Sequence, residues 1–235
     1  MPNKEIWPMR INKYLAIEGH STRKGGDELV AKKQVFINGR LAVLGDKVLE
    51  SDYVEVRTGG RAKKYLYYAY NKPIGVVTSA AGKGEKDIVH SIALKGIYPV
   101  GRLDKNSHGL IILTNDGRIT DRLLNPESIH DKEYLVKTAD KLRATFKDNM
   151  EGGMQIEEDV TRPCKVKLLN EHTFRITLTE GKKHQIRRMV AALHNEVTDL
   201  QRVRIMNIQL GTIPVNSYRP IEEEELDEFL ASLGL

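Results

Sequence analysis

Along most of this chain the apolar positions come in short clusters broken by polar turns, and Leu110 to Leu113 form an unbroken run of large aliphatic residues. That run, inside YPVGRLDKNSHGLIILTNDG (98–117), predicts a strand buried on both faces, because turn residues bound it on each side. Nearer the N-terminus, RINKYLAIEG places Ile11, Tyr14 and Leu15 on one side of a short helix that Gly19 can end. STRKGGDELVAKKQ predicts a second helix with Ser21 as its cap and Leu29 and Val30 facing inward, weakened by Gly25 and Gly26. VFINGRLAV then reads as two strands around Asn38-Gly39, a hairpin signal, and DYVEVR as a closing strand.

RTGGRAKK interrupts the pattern with glycines and basic residues, which divides the chain into a small unit over 1–57, a basic linker over 58–64 and a larger domain over 65–235. In that domain YLYYAYNKP, IGVVTS, GLIILTN and KEYLVKT predict strands, as do GGMQIEEDV, CKVKLLN, TFRITLTE and LQRVRIMNIQL. Helices are expected at DIVHSIA, RITDRLLN after the Asp116-Gly117 turn, DKLRATFKDNM, KHQIRRMVAALH and the acidic C-terminal stretch. Strands outnumber helices and most gaps are too short for parallel crossovers, so the expected class is α+β with a mixed or antiparallel sheet.

Composition narrows the function. Lys and Arg exceed Asp and Glu by 37 to 32, and the acidic stretch Glu222 to Glu228 makes the remainder more basic than the total implies. A polyanionic partner fits this balance, with a solvated basic face as the alternative. No apolar run is long enough to span a membrane. The opening MPNKEIWPMR lacks the apolar core of a signal peptide, so a cytoplasmic location is expected. The single cysteine, Cys164, excludes an internal disulfide, and the seven histidines show no metal-ligand spacing. No phosphate-binding loop or dinucleotide fingerprint is present, and neither a cofactor nor a metal is expected.

Two residues draw attention as chemistry. Asp104 sits in a loop just before the buried strand, where a turn role and a catalytic role are equally compatible with residue type. In HQIRRMVAALH the stripe Ile186, Met189, Val190, Leu193 is buried, Arg187 lies at its border, and Arg188 points away toward solvent or a phosphate. Arg187 is the best candidate counter-ion for Asp104, and direct pairing would keep that carboxylate ionised.

These segments also carry a resemblance. GRLDKNSHGLIILTNDG is similar to the Asp-containing motif of the RsuA-type pseudouridine synthases, and NKPIGVVTS, KEYLVKT and EGKKHQIRRM resemble their other motifs in the same order. The stretch from CKVK to RIMNIQLGTIP is most similar to the RluF branch, which acts on large-subunit ribosomal RNA. Residues 10–57, with Arg10, Tyr14-Leu15, Ser21 to Lys24 and VFING, resemble the S4 RNA-binding domain. The resemblance implies an RNA pseudouridine synthase in which Asp104 works at ribose C1′, Tyr134 stacks on the target uracil, Arg187 partners Asp104 and Ile186 contacts the base. It further implies substrate contacts from Arg102, His184, Gln185 and Arg188, with His184 standing where the branch more often has Arg. Arg10, Lys13, Arg23, Lys24 and Arg40 would form the S4 face. The expected partner is structured RNA, ribosomal in the first instance and transfer RNA as the alternative, and the expected state is a monomer. A non-catalytic ribosome-assembly protein and a glycoside hydrolase are the rival classes; the second needs another free carboxylate beside Asp104.

Overall fold

The computed structural model describes residues 7–57, 65–79, 86–92, 94–125 and 129–235, so the expected linker over 58–64 lies outside the described residues. The chain divides into two compact units, Met1–Leu66 with Thr114–Arg122, and Tyr67–Leu113 with Leu123–Leu235.

The first unit opens with β1 (Met9–Arg10), α1 (Ile11–Ile17) and α2 (Arg23–Ala31). Ile11 and Leu15 of α1 and Val30 of α2 are buried together, as the helical spacing predicts. Gly19 follows α1 in the left-handed region, φ 74°, which stops the helix. The cap of α2 is Thr22 rather than Ser21: its hydroxyl accepts from Gly25 N at 3.0 Å, while Ser21 turns its hydroxyl to the Thr22 carbonyl. Then come β2 (Val35–Ile37), β3 (Arg40–Leu41), β4 (Lys47–Val48) and β5 (Val54–Val56). Asn38 and Gly39 both have positive φ, 50° and 79°, the geometry that closes a two-residue hairpin. β2 pairs with both β3 and β5, whereas β4 pairs with β1, a pairing two residues long that no sequence period could announce.

From Tyr67 onward the order is β6 (Tyr67–Lys72), α3 (Ile88–Ser91), β7 (Tyr98–Val100), β8 (His108–Thr114), α4 (Arg118–Leu124), β9 (Lys132–Thr138), α5 (Phe146–Glu151), β10 (Gln155–Ile156) and β11 (Asp159–Val160). It continues with β12 (Lys165–Asn170), β13 (Thr173–Leu178), α6 (Gln185–Ala192), β14 (Val197–Ile205), β15 (Ile208–Gln209), β16 (Tyr218–Pro220) and α7 (Glu223–Ser232). The main sheet runs β12-β13-β9-β14-β8-β6-β16, with β7 on β8 and β15 on β14. Its β14–β8 pair is parallel and β9–β14 antiparallel, so the sheet is mixed and the fold is α+β, as expected. Leu110, Ile111, Ile112 and Leu113 have no exposed surface, consistent with a strand covered on both faces, each such side chain contributing about 1.5–3 kcal/mol by burial. Among the described residues no helix is long and apolar enough to cross a membrane.

Three expected elements change. IGVVTS is not a strand: Pro73 removes a donor and Gly75 takes φ 85°, so the segment turns and keeps only a bridge from Val77 to Asp87. DKLRATFKDNM shrinks to α5, in which Phe146 and Met150 are buried, while Leu142 in its first half packs against the core from outside the helix. GGMQIEEDV folds as the β10–β11 hairpin, turning at Glu157 with φ 53°.

Candidate active site

Asp104, Tyr134, His184 and Ile186 line one cavity of about 580 Å³, together with Arg102, Ser107, Lys182 and Lys183. Three features of the second unit meet there: the loop between β7 and β8, the middle of β9, and the start of α6.

The Asp104 carboxylate has no hydrogen bond among the described residues. Its side chain is 42% exposed, and the imidazole of His184 stands beside it, with Nε2 3.6 Å from Oδ1, beyond hydrogen-bond length. The loop that carries it is held tightly instead. Arg202 Nη1 donates to the Arg102 carbonyl at 3.4 Å, and Thr78 Oγ1 donates to the Leu103 carbonyl at 2.8 Å. Ser107 N donates to the Asp104 carbonyl at 3.0 Å, and Gly75 N to that of Lys105 at 2.8 Å. Arg187 Nη2 donates to the Asn106 carbonyl at 2.9 Å. Five successive carbonyls thus have partners, which is what a loop needs if it is to stay rigid at the edge of a sheet.

Arg187 therefore does not pair directly with Asp104 as expected. Its guanidinium bridges Asn106 O and, through Nη1 at 3.1 Å, Val197 O, tying α6 and β14 to the loop after Asp104. A planar guanidinium with its donors in a fixed fork satisfies two divergent carbonyls better than one exposed carboxylate.

Behind the loop lie buried cations that no motif or spacing singles out. Arg202 is 4% exposed, donates Nε to the Leu110 carbonyl at 2.7 Å, and leaves its buried Nη2 without a partner. Gly109 faces it across the strands in register, with φ 102°, and a Cβ there would collide with the Arg202 backbone. Lys72 is fully buried and donates to the carbonyls of Pro73 at 2.8 Å and Val76 at 2.7 Å, which holds the turn containing Gly75. Burial pushes its ammonium down to about 8; the charge of Asp104 opposes that shift and Arg202 adds to it.

Tyr134 is partly buried against the core formed by β9, β13 and α6 and lines the cavity. Ile186 is buried beside it, 4% exposed, on the predicted stripe of α6. His184 caps α6 in the left-handed conformation, φ 51° and ψ 28°, a strained position for a residue with a Cβ. Arg102 is exposed at the cavity, and its side chain has no hydrogen-bond or ion-pair partner among the described residues.

Two expected substrate contacts are engaged elsewhere. Gln185 is 4% exposed; its amide donates to Glu180 Oε1 at 2.7 Å and accepts from Lys182 N at 3.0 Å, so it shapes the loop before α6. Arg188 is held by Asp159 and Glu157, both at 2.9 Å, and by the Ile156 carbonyl. The acidic tip of the β10–β11 hairpin takes the place of solvent or a phosphate, and Asp159 also binds Lys182 at 3.2 Å. Glu180 is a second carboxylate at the cavity, not marked by any sequence pattern, but it accepts from Arg162 N at 2.8 Å as well as from Gln185. A pair of free carboxylates for glycoside hydrolysis is therefore not present among the described cavity residues.

In the first unit Arg10, Lys24 and Arg23 are exposed and Lys13 is partly so. Arg40 is paired with Asp46 at 2.8 Å. Asp116 is fully buried and accepts from the Arg118 backbone and guanidinium, the turn role expected for it.

Residues 66–192 match the RNA pseudouridylate synthase family. The dual-specificity RNA pseudouridine synthase RluF of Salmonella typhi is 41% identical, the alignment covering 92% of this chain and 77% of that protein. The ribosomal large subunit pseudouridine synthase B of Bacillus subtilis is 32% identical over 94% of this chain and 96% of its own. A crystal structure of a pseudouridylate synthase superposes with a TM-score of 0.69 at 27% identity, covering 96% of this chain and 99% of that one. A mixed-sheet fold with a cavity beside the loop that leads into a buried strand is thus the scaffold of an RNA-modifying isomerase. The chain belongs to the RNA pseudouridylate synthase family and is an RNA pseudouridine synthase.

Proposed function

We propose that the enzyme isomerises uridine in structured ribosomal RNA of the large subunit, with Asp104 as its catalytic carboxylate. The observation that carries the reading is the Asp104 carboxylate itself: partly exposed, free of hydrogen bonds among the described residues, and presented by a fully pinned loop into the cavity that Tyr134 and Ile186 line. The names of the relatives support the substrate class, one being a dual-specificity enzyme and another specific to the ribosomal large subunit.

The chemistry follows from what must move. The N1–C1′ bond of uridine breaks, the uracil turns, C5 bonds to C1′, and the C5 proton leaves; no oxidant, reductant or external group enters. The target base has to leave its stack first, which costs a few kcal/mol and requires a pocket that replaces the lost stacking. Tyr134 supplies an aromatic face and Ile186 an apolar wall. Asp104 then acts at the ribose, by attack on C1′ or by taking the C2′ proton. The Tyr134 hydroxyl has no partner among the described residues, which leaves it able to take the C5 proton at the end. Arg102 and Lys183 at the cavity provide charge for the flanking phosphates.

The first unit serves as an S4-type RNA-binding domain. Arg10 precedes α1 and Lys13 sits in its first turn, while Arg23 and Lys24 open α2, whose first turn has no acidic residue. Exposed Arg10 and Lys24 at these helix starts supply positive charge for RNA phosphates.

Tritium release from 5-tritiated uridine in ribosomal RNA and, separately, in transfer RNA tests the reading. Release from ribosomal RNA is expected. Release from transfer RNA alone would replace the substrate, and release from neither would overturn the function.

A further inference from the structure

A carboxylate that makes no hydrogen bond of its own is aimed only by its backbone. Asp104 is in that situation, so whatever fixes the residues on either side decides where its oxygens point. The residue immediately before it, Leu103, has both of its backbone polar groups bound to one hydroxyl: Thr78 Oγ1 donates to Leu103 O at 2.8 Å and accepts from Leu103 N at 3.0 Å. One side chain thereby substitutes for a strand partner at the point where β7 has ended and β8 has not begun. Thr78 is 4% exposed and Leu103 8%, so water cannot take over either bond, and losing them would leave two buried backbone groups unsatisfied. Of the other anchors, Ser107 N holds the Asp104 carbonyl at 3.0 Å from within the loop itself, Gly75 and Arg187 bind Lys105 and Asn106 farther along, and Arg202 reaches Arg102 at only 3.4 Å.

Resting on the proposed role of Asp104, we propose that Thr78 is a positioning residue for the reaction: its hydroxyl, bonded twice to Leu103, sets the direction of the Asp104 carboxylate without touching the substrate. Geometry at the reacting atoms matters steeply, since a displacement of about 1 Å can cost on the order of 100-fold in rate. RNA contacts made by the cavity rim and the first unit do not depend on Thr78, so substrate binding is left intact.

The test compares Thr78→Val, which keeps the shape and removes the hydroxyl, with Thr78→Ser, which keeps the hydroxyl. Single-turnover and steady-state tritium release give kcat and KM, and circular dichroism and thermal melting report folding. The expected result is a fall in kcat of about 30- to 100-fold for Thr78→Val with KM within about twofold, and recovery to within about fivefold of wild type for Thr78→Ser. If Thr78→Val does not fold, Thr78→Ser and Thr78→Cys, whose thiol is a weaker donor, are ranked instead, and kcat falling in the order Thr, Ser, Cys with constant KM supports the role. Folded Thr78→Val with wild-type kcat, or an equal loss in Thr78→Ser and Thr78→Val, overturns it. A wild-type protein that releases no tritium overturns the function reading and the Thr78 role with it, an outcome the wild-type control separates from failure of the Thr78 role alone.

Discussion

Arg187 meets the Asp104 loop at the carbonyl of Asn106, 2.9 Å from its Nη2, and not at the carboxylate. Its work in the free enzyme is mechanical, joining α6, β14 and the loop through two divergent carbonyls. A lysine keeps the charge but cannot span both acceptors. Arg187→Lys is therefore expected to lose at least about tenfold in kcat, nearly as much as Arg187→Met. A lysine variant with wild-type kcat would show that the charge alone is what matters.

Arg188, one residue on, is committed to the acidic hairpin. Removing its side chain breaks both ion pairs and the bond to the Ile156 carbonyl, leaving Lys182 as the remaining partner of Asp159. Arg188→Ala should lower the melting temperature while leaving KM for RNA within about twofold. Lys183→Ala, at the cavity, should do the reverse: KM rises and the melting temperature stays.

Lys72 makes stability depend on pH in a defined direction. Its native ammonium titrates near about 8 because it is buried, against an unfolded value of about 10.4. Between these values the unfolded chain binds more protons than the native one, so stability rises with pH and the penalty for a buried charge is fully present below about 8. Lys132, pushed to about 8 by burial and by Arg202, adds a second contribution of the same sign. Urea unfolding is expected to show a gain of about 1 kcal/mol per lysine from pH 8 to 9, partly offset by Cys164, which burial raises to about 11 and which acts in the opposite sense from its unfolded value of about 8.5 upward. Lys72→Met should remove about half of that lysine contribution, and an unchanged slope would mean that the native Lys72 ammonium is solvated and keeps its ordinary value.

In the first unit, Arg23→Gln with Lys24→Gln should weaken RNA binding at every sequence tested. It should also reduce the slope of log affinity against log salt by about 0.7–0.9 for each phosphate no longer neutralised. Arg40→Gln, already neutralised by Asp46, should change the slope little.

Much of this is legible in the sequence because local patterns dictate it. Leu110 to Leu113 announce a buried strand, Asn38-Gly39 a hairpin, and the Ile186, Met189, Val190 spacing a helix face. The cavity residues Asp104, Tyr134, His184 and Ile186 are reached through motif resemblance and are brought together by the fold. What stays hidden is long-range. Thr78 and Leu103, or Arg202 and Leu110, lie far apart in sequence and meet only in the folded sheet. No periodicity marks a hydroxyl that will bond a backbone. Arg187 is legible as a border residue, yet the expected direct ion pair with Asp104 does not form, because sequence gives a direction on the helix but not the carbonyls that wait there. Arg188 looks free in the sequence because GGMQIEEDV suggests a single strand, whereas the β10–β11 hairpin folds over that arginine.

The central claim is that the carboxylate of Asp104 does the chemistry. It is tested most directly by Asp104→Asn in the tritium-release assay on ribosomal RNA, with RNA affinity measured in parallel. Tritium release that disappears while affinity stays within about threefold of wild type is the predicted result; release at the wild-type rate by a folded, RNA-binding Asp104→Asn enzyme would contradict the account.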